Sequence, residues 1–307
     1  MKKILQILVV FFLIVSTSCH SQQSDKNKAT VEFSIDASYL LIPIEESAPD
    51  VKMNIHYSDD KNREAFYVRL AKSKIDYWVK LDVKKHKGQR VSLAFENTES
   101  SALGLSNIKA SDRFEFEYNE TYRPQFHFSP EYGWMNDPNG LVYLDGEYHL
   151  FYQYNPYGNT WGNMHWGHAV STDLTSWTYL PVALGIDSLG DIFSGSAVVD
   201  VNNTAGFGKN AMIAIYTSNG KTQQQSIAYS TDKGRTFTKY TGNPVIPNPG
   251  ITDFRDPKVS CNEQSKQWVM ALATKQTITF YGSADLKKWS KLSEFASESG
   301  SQGGVWE

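Results

Sequence analysis

The chain has 307 residues, with 30 Lys and Arg against 33 Asp and Glu and a formal net charge of −3. That charge gives no electrostatic case for binding nucleic acid, and the length allows one large β domain or two domains. Many of the 8 Trp, 17 Tyr and 16 Phe must lie in a core, but the surplus also suits sugar binding, because apolar sugar faces stack on aromatic planes.

Residues 1–19 are predicted to be an export signal. Lys2 and Lys3 precede an apolar stretch of about twelve residues, which is too short to cross a bilayer, where roughly twenty are needed. Small residues then lead directly to Cys19, as in a bacterial lipoprotein signal, although Ser16 stands where leucine is usual. We expect an exported protein that lipid on Cys19 anchors to a bacterial membrane, in the periplasm or at the cell surface. An ordinary cleaved signal peptide is the alternative, and Cys261, the other cysteine, is left without a disulfide partner.

Residues 20–30 are polar and are predicted to be a tether. Between residues 31 and 118, apolar side chains alternate with polar ones in short bursts, as they do from Val51 to Tyr57. The bursts recur at roughly twelve-residue spacing without helical periodicity, which predicts a small β-sandwich. No cluster of catalytic residue types occurs there, so we interpret residues 31–118 as an accessory domain.

From residue 122 onwards the pattern changes, and a short motif recurs. Its three copies, each with a Ser-x-Asp start and a following aromatic residue, are Ser171–Trp177, Ser230–Phe237 and Ser283–Trp289. Each copy is predicted to follow an apolar strand, over 148–154, 212–217 and 268–273 respectively. A hairpin repeated at about fifty to sixty residues has the size of one four-stranded propeller blade. We therefore predict that residues 122–307 form part of a β-propeller.

The stretch Trp134–Gly140, with the sequence Trp-Met-Asn-Asp-Pro-Asn-Gly, is the most informative of the chain. Pro138 has a fixed φ and disfavours helix at Asp137, and Asn139-Gly140 predicts a tight turn. Apolar residues follow, so we expect Asp137 to be held rigidly at the end of a strand between aromatic neighbours. The Asp-Pro-Asn-Gly tetrapeptide alone would indicate only a surface hairpin.

Further polar segments lie at predicted strand ends in other blade-length portions of the chain. They are Phe193–Ser196, Phe254–Pro257 and Glu307. Because propeller blades bring their inner strands together around one axis, residues about sixty apart in the sequence can converge with Asp137 on one pocket.

Together these segments resemble glycoside hydrolase family 32, the invertase, levanase and inulinase family. The signatures that match in order and spacing are Trp134–Gly140, Tyr148–Pro156, Trp161–Asn163, Trp166–Ala169, Phe193–Ser196 and Phe254–Pro257. The resemblance covers residues 122–307 and implies a five-bladed β-propeller, which in the family is normally followed by a β-sandwich. The expected fold is therefore all-β, with a small N-terminal β-sandwich before the propeller.

The resemblance also implies roles for individual residues. Asp137 would be the nucleophile that attacks the anomeric carbon of a fructofuranosyl unit. Asp256 would hold fructose hydroxyls and stabilise the oxocarbenium-like transition state, Arg255 would orient Asp256, and Glu307 would be the general acid/base. The residues implied to line the fructose subsite are Asn136, Gln153, Trp161, Phe193 and Ser194.

The implied reaction is hydrolysis of β-fructofuranosidic bonds in levan, inulin or sucrose by a retaining double displacement. Retention needs two carboxyl groups about 5–5.5 Å apart, one ionised to attack and one protonated to donate. This chemistry needs no metal and no cofactor. His165 and His168 could suggest a metal site, but no third ligand is obvious, so structural packing is the expected role of both.

The chain ends at Glu307, before the Cys-Pro that follows the acid/base in the family motif. We therefore expect a truncated, N-terminal portion of a fructan hydrolase with an incomplete propeller, which raises the question of whether this chain is itself active. Two alternatives stay open. One is a non-catalytic fructan-binding fragment, and the other is an arabinan- or xylan-active propeller glycosidase, which would share the layout of three carboxylates.

Overall fold

The computed structural model describes residues 28–59, 63–116 and 118–296. The predicted signal with Cys19, most of the predicted tether and Glu307 lie outside these residues. Nearly all regular structure in the described ranges is β-strand, which confirms the predicted all-β fold. Within the same ranges, no helix is both long enough and apolar enough to cross a membrane.

The N-terminal part is built from two antiparallel sheets. Its strands are β1 (Lys28–Ser34), β2 (Tyr39–Ile44), β3 (Val51–Tyr57), β4 (Arg63–Val68), β5 (Tyr77–Asp82), β6 (Arg90–Glu96) and β7 (Lys109–Ser111), with a short helix α1 (Leu103–Asn107) before β7. One sheet has the order β1-β6-β3-β4, and the other has the order β5-β2-β7. Strand β1 begins at Lys28, within the range predicted to be a tether.

The two sheets face each other across one apolar core. In β3, Val51, Met53, Ile55 and Tyr57 are buried, whereas the residues between them are partly exposed. This period of two is the signature of a strand with one face in a core. Side chains of β2 and β5 from the second sheet join the same buried cluster, so the alternation in the sequence directly specifies the sandwich.

The described part of the remaining chain forms three four-stranded antiparallel blades. Their strands are β8 (Trp134–Leu144), β9 (Glu147–Asn155), β10 (His165–Ser171) and β11 (Thr178–Leu184); β12 (Asp191–Asp200), β13 (Ala211–Asn219), β14 (Gln223–Ser230) and β15 (Thr238–Lys239); and β16 (Phe254–Asn262), β17 (Gln267–Thr274), β18 (Thr277–Ser283) and β19 (Ser290–Phe295). The first strands of the blades, β8, β12 and β16, lie side by side. These sheets confirm the predicted propeller blades.

The recurring Ser-x-Asp motif forms the turn between the third and fourth strands of each blade. In the first copy, Ser171 Oγ accepts hydrogen bonds from the N–H groups of Asp173 and Leu174. Asp173 Oδ1 accepts from the N–H groups of Ser176 and Thr175, and these two bonds hold the pKa of the Asp173 carboxyl well below its usual range. The motif was predicted to follow the apolar strand over 148–154 directly. In the structure that strand is β9, and β10 lies between it and the turn.

The predicted tight turn at Asn139-Gly140 is wrong. Both residues lie inside β8, and the turn to β9 follows at Asp145-Gly146, where φ is 50° and 91°. Gly140 has a φ of 57°, and a Cβ there would lie 2.7 Å from a ring carbon of Phe151. The glycine therefore allows an irregular backbone conformation inside a strand that packs closely on an aromatic ring. Asp137 lies within β8 rather than at a strand end.

The sandwich packs on the first blade through the loop that joins β9 to β10. The Phe66 ring contacts Tyr157 and His165, with ring centroids 4.4 and 5.5 Å apart. Asn163 Oδ1 accepts a hydrogen bond from Tyr67 N–H at 2.8 Å, and Asn163 Nδ2 donates to Tyr67 O at 2.9 Å. This two-way bond fixes the β9–β10 loop to the edge of β4.

Candidate active site

A pocket of about 540 Å³ opens where β8, β12 and β16 meet, a volume within the usual range for a small-molecule site. It is lined by Asn136, Asp137, Gln153, Trp161, Phe193, Ser194, Gln223, Arg255 and Asp256. Every predicted site residue in the described part of the chain therefore lines this one pocket. Glu307, the predicted acid/base, lies outside the described residues.

Each of the three inner strands carries a β-bulge where it reaches the pocket. The pairing register shifts between Met135 and Pro138 in β8, between Ile192 and Gly195 in β12, and between Arg255 and Lys258 in β16. In a regular strand, neighbouring side chains point to opposite faces of the sheet. A bulge breaks that alternation and redirects side chains, so that Phe193 and Ser194 both line the pocket although they are adjacent in sequence.

Asp137 is held by the second blade. Ser194 Oγ donates a hydrogen bond to Asp137 Oδ2 at 3.0 Å. The segment that carries Ser194 is held in turn, because Trp166 Nε1 donates to the Phe193 carbonyl at 3.0 Å. These contacts fix the orientation of the Asp137 carboxylate in the pocket wall. A group that must approach a substrate atom along a defined line needs such a fixed orientation.

Asp256 has a φ of 61°, a left-handed conformation that is uncommon for a residue other than glycine. Its N–H donates to Thr217 Oγ1 at 3.2 Å, and its Oδ2 lies 3.7 Å from Arg255 Nε. Arg255 also pairs with Asp253 at 2.5 Å. Such backbone conformations cost about 1–3 kcal/mol and concentrate at functional sites. The surrounding contacts therefore hold the Asp256 carboxylate in a position that the chain would not adopt unaided.

Two glutamines of β14 that the sequence analysis missed support the Asp256 segment. Gln223 Oε1 accepts from Phe254 N–H at 2.9 Å and lies 3.4 Å from Arg255 Nη1. Gln225 Nε2 donates to the Phe254 carbonyl at 2.8 Å, and Gln225 is fully buried. Both polar backbone groups of Phe254 are thus bound by glutamine side chains. In the sequence Gln225 lies between Gln224 and Ser226, in a polar stretch, so no local pattern indicated that its amide is buried and needs partners.

Gln153 and Trp161 line the pocket from β9 and from the β9–β10 loop. Gln153 is buried, and its Nε2 donates to the Ile192 carbonyl at 2.8 Å, which joins the first blade to the second. Trp161 is 58 % exposed and meets the Phe193 ring edge to face at 6.0 Å between centroids. The pocket therefore combines carboxylates, one guanidinium and amides with one exposed and one half-buried aromatic ring, a combination that suits a neutral ligand rich in hydroxyl groups.

No group of three His, Cys, Asp or Glu side chains in the described ranges is close enough to hold a metal ion. His165 Nδ1 lies 2.5 Å from the Asn163 carbonyl, and His168 Nε2 lies 3.0 Å from His149 Nδ1. Burial lowers the pKa of His165 to about 4 and that of His168 to about 3. Both rings are therefore neutral at physiological pH and pack in the interior of the fold.

Two family models match consecutive parts of the chain. The model of the glycosyl hydrolases family 32 N-terminal domain matches residues 127–307. A model described as a domain of unknown function (DUF4980) matches residues 25–126. The first match contains all the residues of the pocket, and the second contains the whole sandwich.

Curated relatives and a solved structure match the same region. Levanase of Bacillus subtilis is 64 % identical over 194 residues, which are 62 % of this chain and 29 % of the relative. Extracellular exo-inulinase of Aspergillus awamori is 48 % identical over an alignment of 225 positions, which covers 63 % of this chain and 42 % of the relative. The crystal structure of exo-inulinase from Aspergillus awamori aligns with a TM-score of 0.58 at 47 % identity, over 62 % of this chain and 43 % of that chain. The chain thus spans less than half the length of these relatives.

Proposed function

The chain belongs to glycosyl hydrolase family 32, and from that premise we propose that its pocket binds a β-fructofuranosyl unit and cleaves the bond to the next residue. The substrates would be levan, inulin or sucrose, and the reaction would be a retaining hydrolysis. The observation that carries the proposal is the convergence of Asp137, Asp256 and Arg255 from two separate blades on one pocket. The names of the levanase and inulinase relatives support the substrate class.

In the proposed mechanism, Asp137 attacks the anomeric carbon and forms a covalent fructosyl intermediate, which water then hydrolyses. The bond from the Ser194 hydroxyl to Oδ2 presents the carboxylate in one orientation. The glycosidic oxygen needs a proton as it leaves, and we assign its delivery to Glu307. The same residue would then remove a proton from the attacking water.

Asp256 would accept hydrogen bonds from fructose hydroxyls, and its negative charge would stabilise the positive charge that develops on the sugar ring. Arg255, 3.7 Å from Asp256, keeps this carboxylate at a fixed angle. Electrostatic stabilisation of this kind is effective because the groups are already in place before the reaction. Trp161 and Phe193 would contact the apolar face of the ring.

A panel of sucrose and four polysaccharides, namely levan, inulin, arabinan and xylan, tests this proposal against its alternatives. The protein that carries this chain should release fructose from levan, inulin or sucrose and should release no sugar from arabinan or xylan, as measured by chromatography of the products. Binding of fructans without release of fructose would favour a non-catalytic fructan-binding protein. Release of arabinose or xylose would contradict the assigned substrate class.

For the location of the protein, we propose export followed by lipid attachment at Cys19. The support is the order of Lys2 and Lys3, a short apolar stretch, small residues and the cysteine. One acyl chain holds a protein only weakly, so stable anchoring requires more than one.

Substitution Cys19→Ala should move the protein from the membrane fraction to the soluble fraction of the expressing bacterium. Cys261→Ala, which changes the other cysteine, is the matched control and should leave the distribution as it was. An identical distribution of the parent protein and Cys19→Ala between the two fractions would rule out the lipid anchor.

A further inference from the structure

We infer that the N-terminal sandwich supplies a second sugar subsite, beside the fructosyl pocket, in a cleft between Tyr67 and Trp161. The inference rests on the proposed function of the pocket. Its ligand would be the sugar residue that follows the terminal fructosyl unit in a linear fructosyl oligosaccharide. The sandwich would then take part in substrate recognition, although it contains no catalytic residue types.

The cleft lies between the edge of the sandwich and the β9–β10 loop of the first blade. Its walls include Asp50, Tyr67 and Arg69 from the sandwich, and Asn159 and Trp161 from the loop. The enclosed volume is about 40 Å³, which is enough for a water molecule or a hydroxyl group and too small for a sugar ring. A sugar would therefore lie across the rim and direct a single hydroxyl group into the cleft.

Trp161 forms a wall shared by the cleft and the pocket, because this side chain lines both cavities. The ring is 58 % exposed, so it has apolar surface left for contact with a ligand. A chain of sugars whose first unit occupies the pocket would pass over Trp161 and reach the sandwich. The cleft lies at a domain boundary, a place where ligand sites often occur.

Tyr67 provides the opposite wall. Its side chain is 57 % exposed, whereas its backbone N–H and carbonyl are both bound to Asn163 on the loop that carries Trp161. The backbones that carry the two aromatic residues are therefore joined before any ligand arrives. Joining them in advance lowers the cost of ordering these segments on binding, which favours affinity.

Polar groups of the sandwich complete the cleft. Arg69 forms an ion pair with Glu46, and its Nε lies 3.4 Å from Asp50 Oδ1. Carboxylate oxygens accept hydrogen bonds and a guanidinium donates them, so this wall can bind both the hydrogen and the oxygen of a sugar hydroxyl. Aromatic faces together with paired polar groups suit a carbohydrate better than an apolar ligand.

The test compares a single-unit ligand with a longer one by titration calorimetry, in the full chain carrying Asp137→Asn to prevent hydrolysis. The probes are methyl β-fructofuranoside and inulotriose, a linear trimer of fructose. Tyr67→Ala should weaken the binding of the trimer about five- to tenfold and change that of the single unit by less than about twofold. Tyr67→Phe, which keeps the aromatic face, should bind the trimer like the parent.

The matched control is Tyr143→Ala, because Tyr143 is 56 % exposed and lines neither cavity. It should leave the affinities for both probes as they are. Unchanged trimer affinity in Tyr67→Ala would overturn the inference, and so would equal losses for both probes, which would indicate a general disturbance of the pocket. If the parent chain bound neither probe, the proposed function would fail, and the inference would fail with it.

Discussion

At the scale of single residues, neutral side chains position a charged residue of the pocket by binding the backbone of Phe254. Its N–H is bound by Gln223 and its carbonyl by Gln225, and the next residue but one is Asp256. Thr217 accepts the N–H of Asp256 and donates its own hydroxyl hydrogen to Gln225 Oε1 at 2.8 Å. The chain of bonds positions Asp256 through the backbone.

Gln223→Ala should therefore lower kcat/KM for fructosyl substrates by about ten- to a hundredfold. The substitution leaves the partly buried N–H of Phe254 unpaired, a loss of about 1–3 kcal/mol, and frees Arg255 to move away from Asp256. Gln224→Ala on the same strand is the control, because Gln224 lies outside the residues that line the pocket and should behave like the parent. Equal kcat/KM values for the two variants would contradict the positioning role of Gln223.

At the scale of elements, the bulges in β8, β12 and β16 decide which side chains reach the pocket. The bulge in β16 interrupts the backbone hydrogen bonds between β16 and β17, and Ser196 of β12 bonds to backbone groups there. Its Oγ donates to the Pro257 carbonyl at 2.8 Å and accepts from Val259 N–H at 2.9 Å. Both partners lie beside the bulge in β16. A side chain of β12 therefore pairs backbone groups beside that bulge, and this satisfies buried polar atoms while linking two blades.

Sequence patterns predicted much of these elements because their causes are local. The strand β3 and the Ser-x-Asp turns could be predicted from the spacing of a few neighbouring residues. The motif around Asp137 likewise indicated the location of the pocket. The role of Gly140 was mispredicted because glycine with a positive φ occurs both in tight turns and in strand bulges. Whether Gly140 lies in a turn or in a bulge depends on how its strand packs on the ring of Phe151, which is not a local property of the sequence. Gln223 was missed because its partner Phe254 is distant in sequence, and no local pattern records that contact.

At the scale of the whole molecule, the sandwich and the blades share a structural boundary around Tyr157. This tyrosine follows β9 in the first blade, yet its ring belongs to the buried core of the sandwich. Asn163 and the edge of β4 strengthen the same boundary. The loop that carries Trp161 thus contacts both the sandwich and the first blade, which links the accessory domain to the wall of the pocket.

The most direct test of the proposed chemistry is fructose release from levan by the protein that carries this chain, before and after Asp137→Asn. An amide of similar shape can still accept the hydrogen bond from Ser194, but it cannot act as a nucleophile. We therefore expect kcat to fall by about 10⁴-fold or more, with unchanged thermal unfolding. Asp145→Asn, in the exposed turn at the end of the same hairpin, should keep full activity. An Asp137→Asn variant that releases fructose within tenfold of the parent rate would contradict the account.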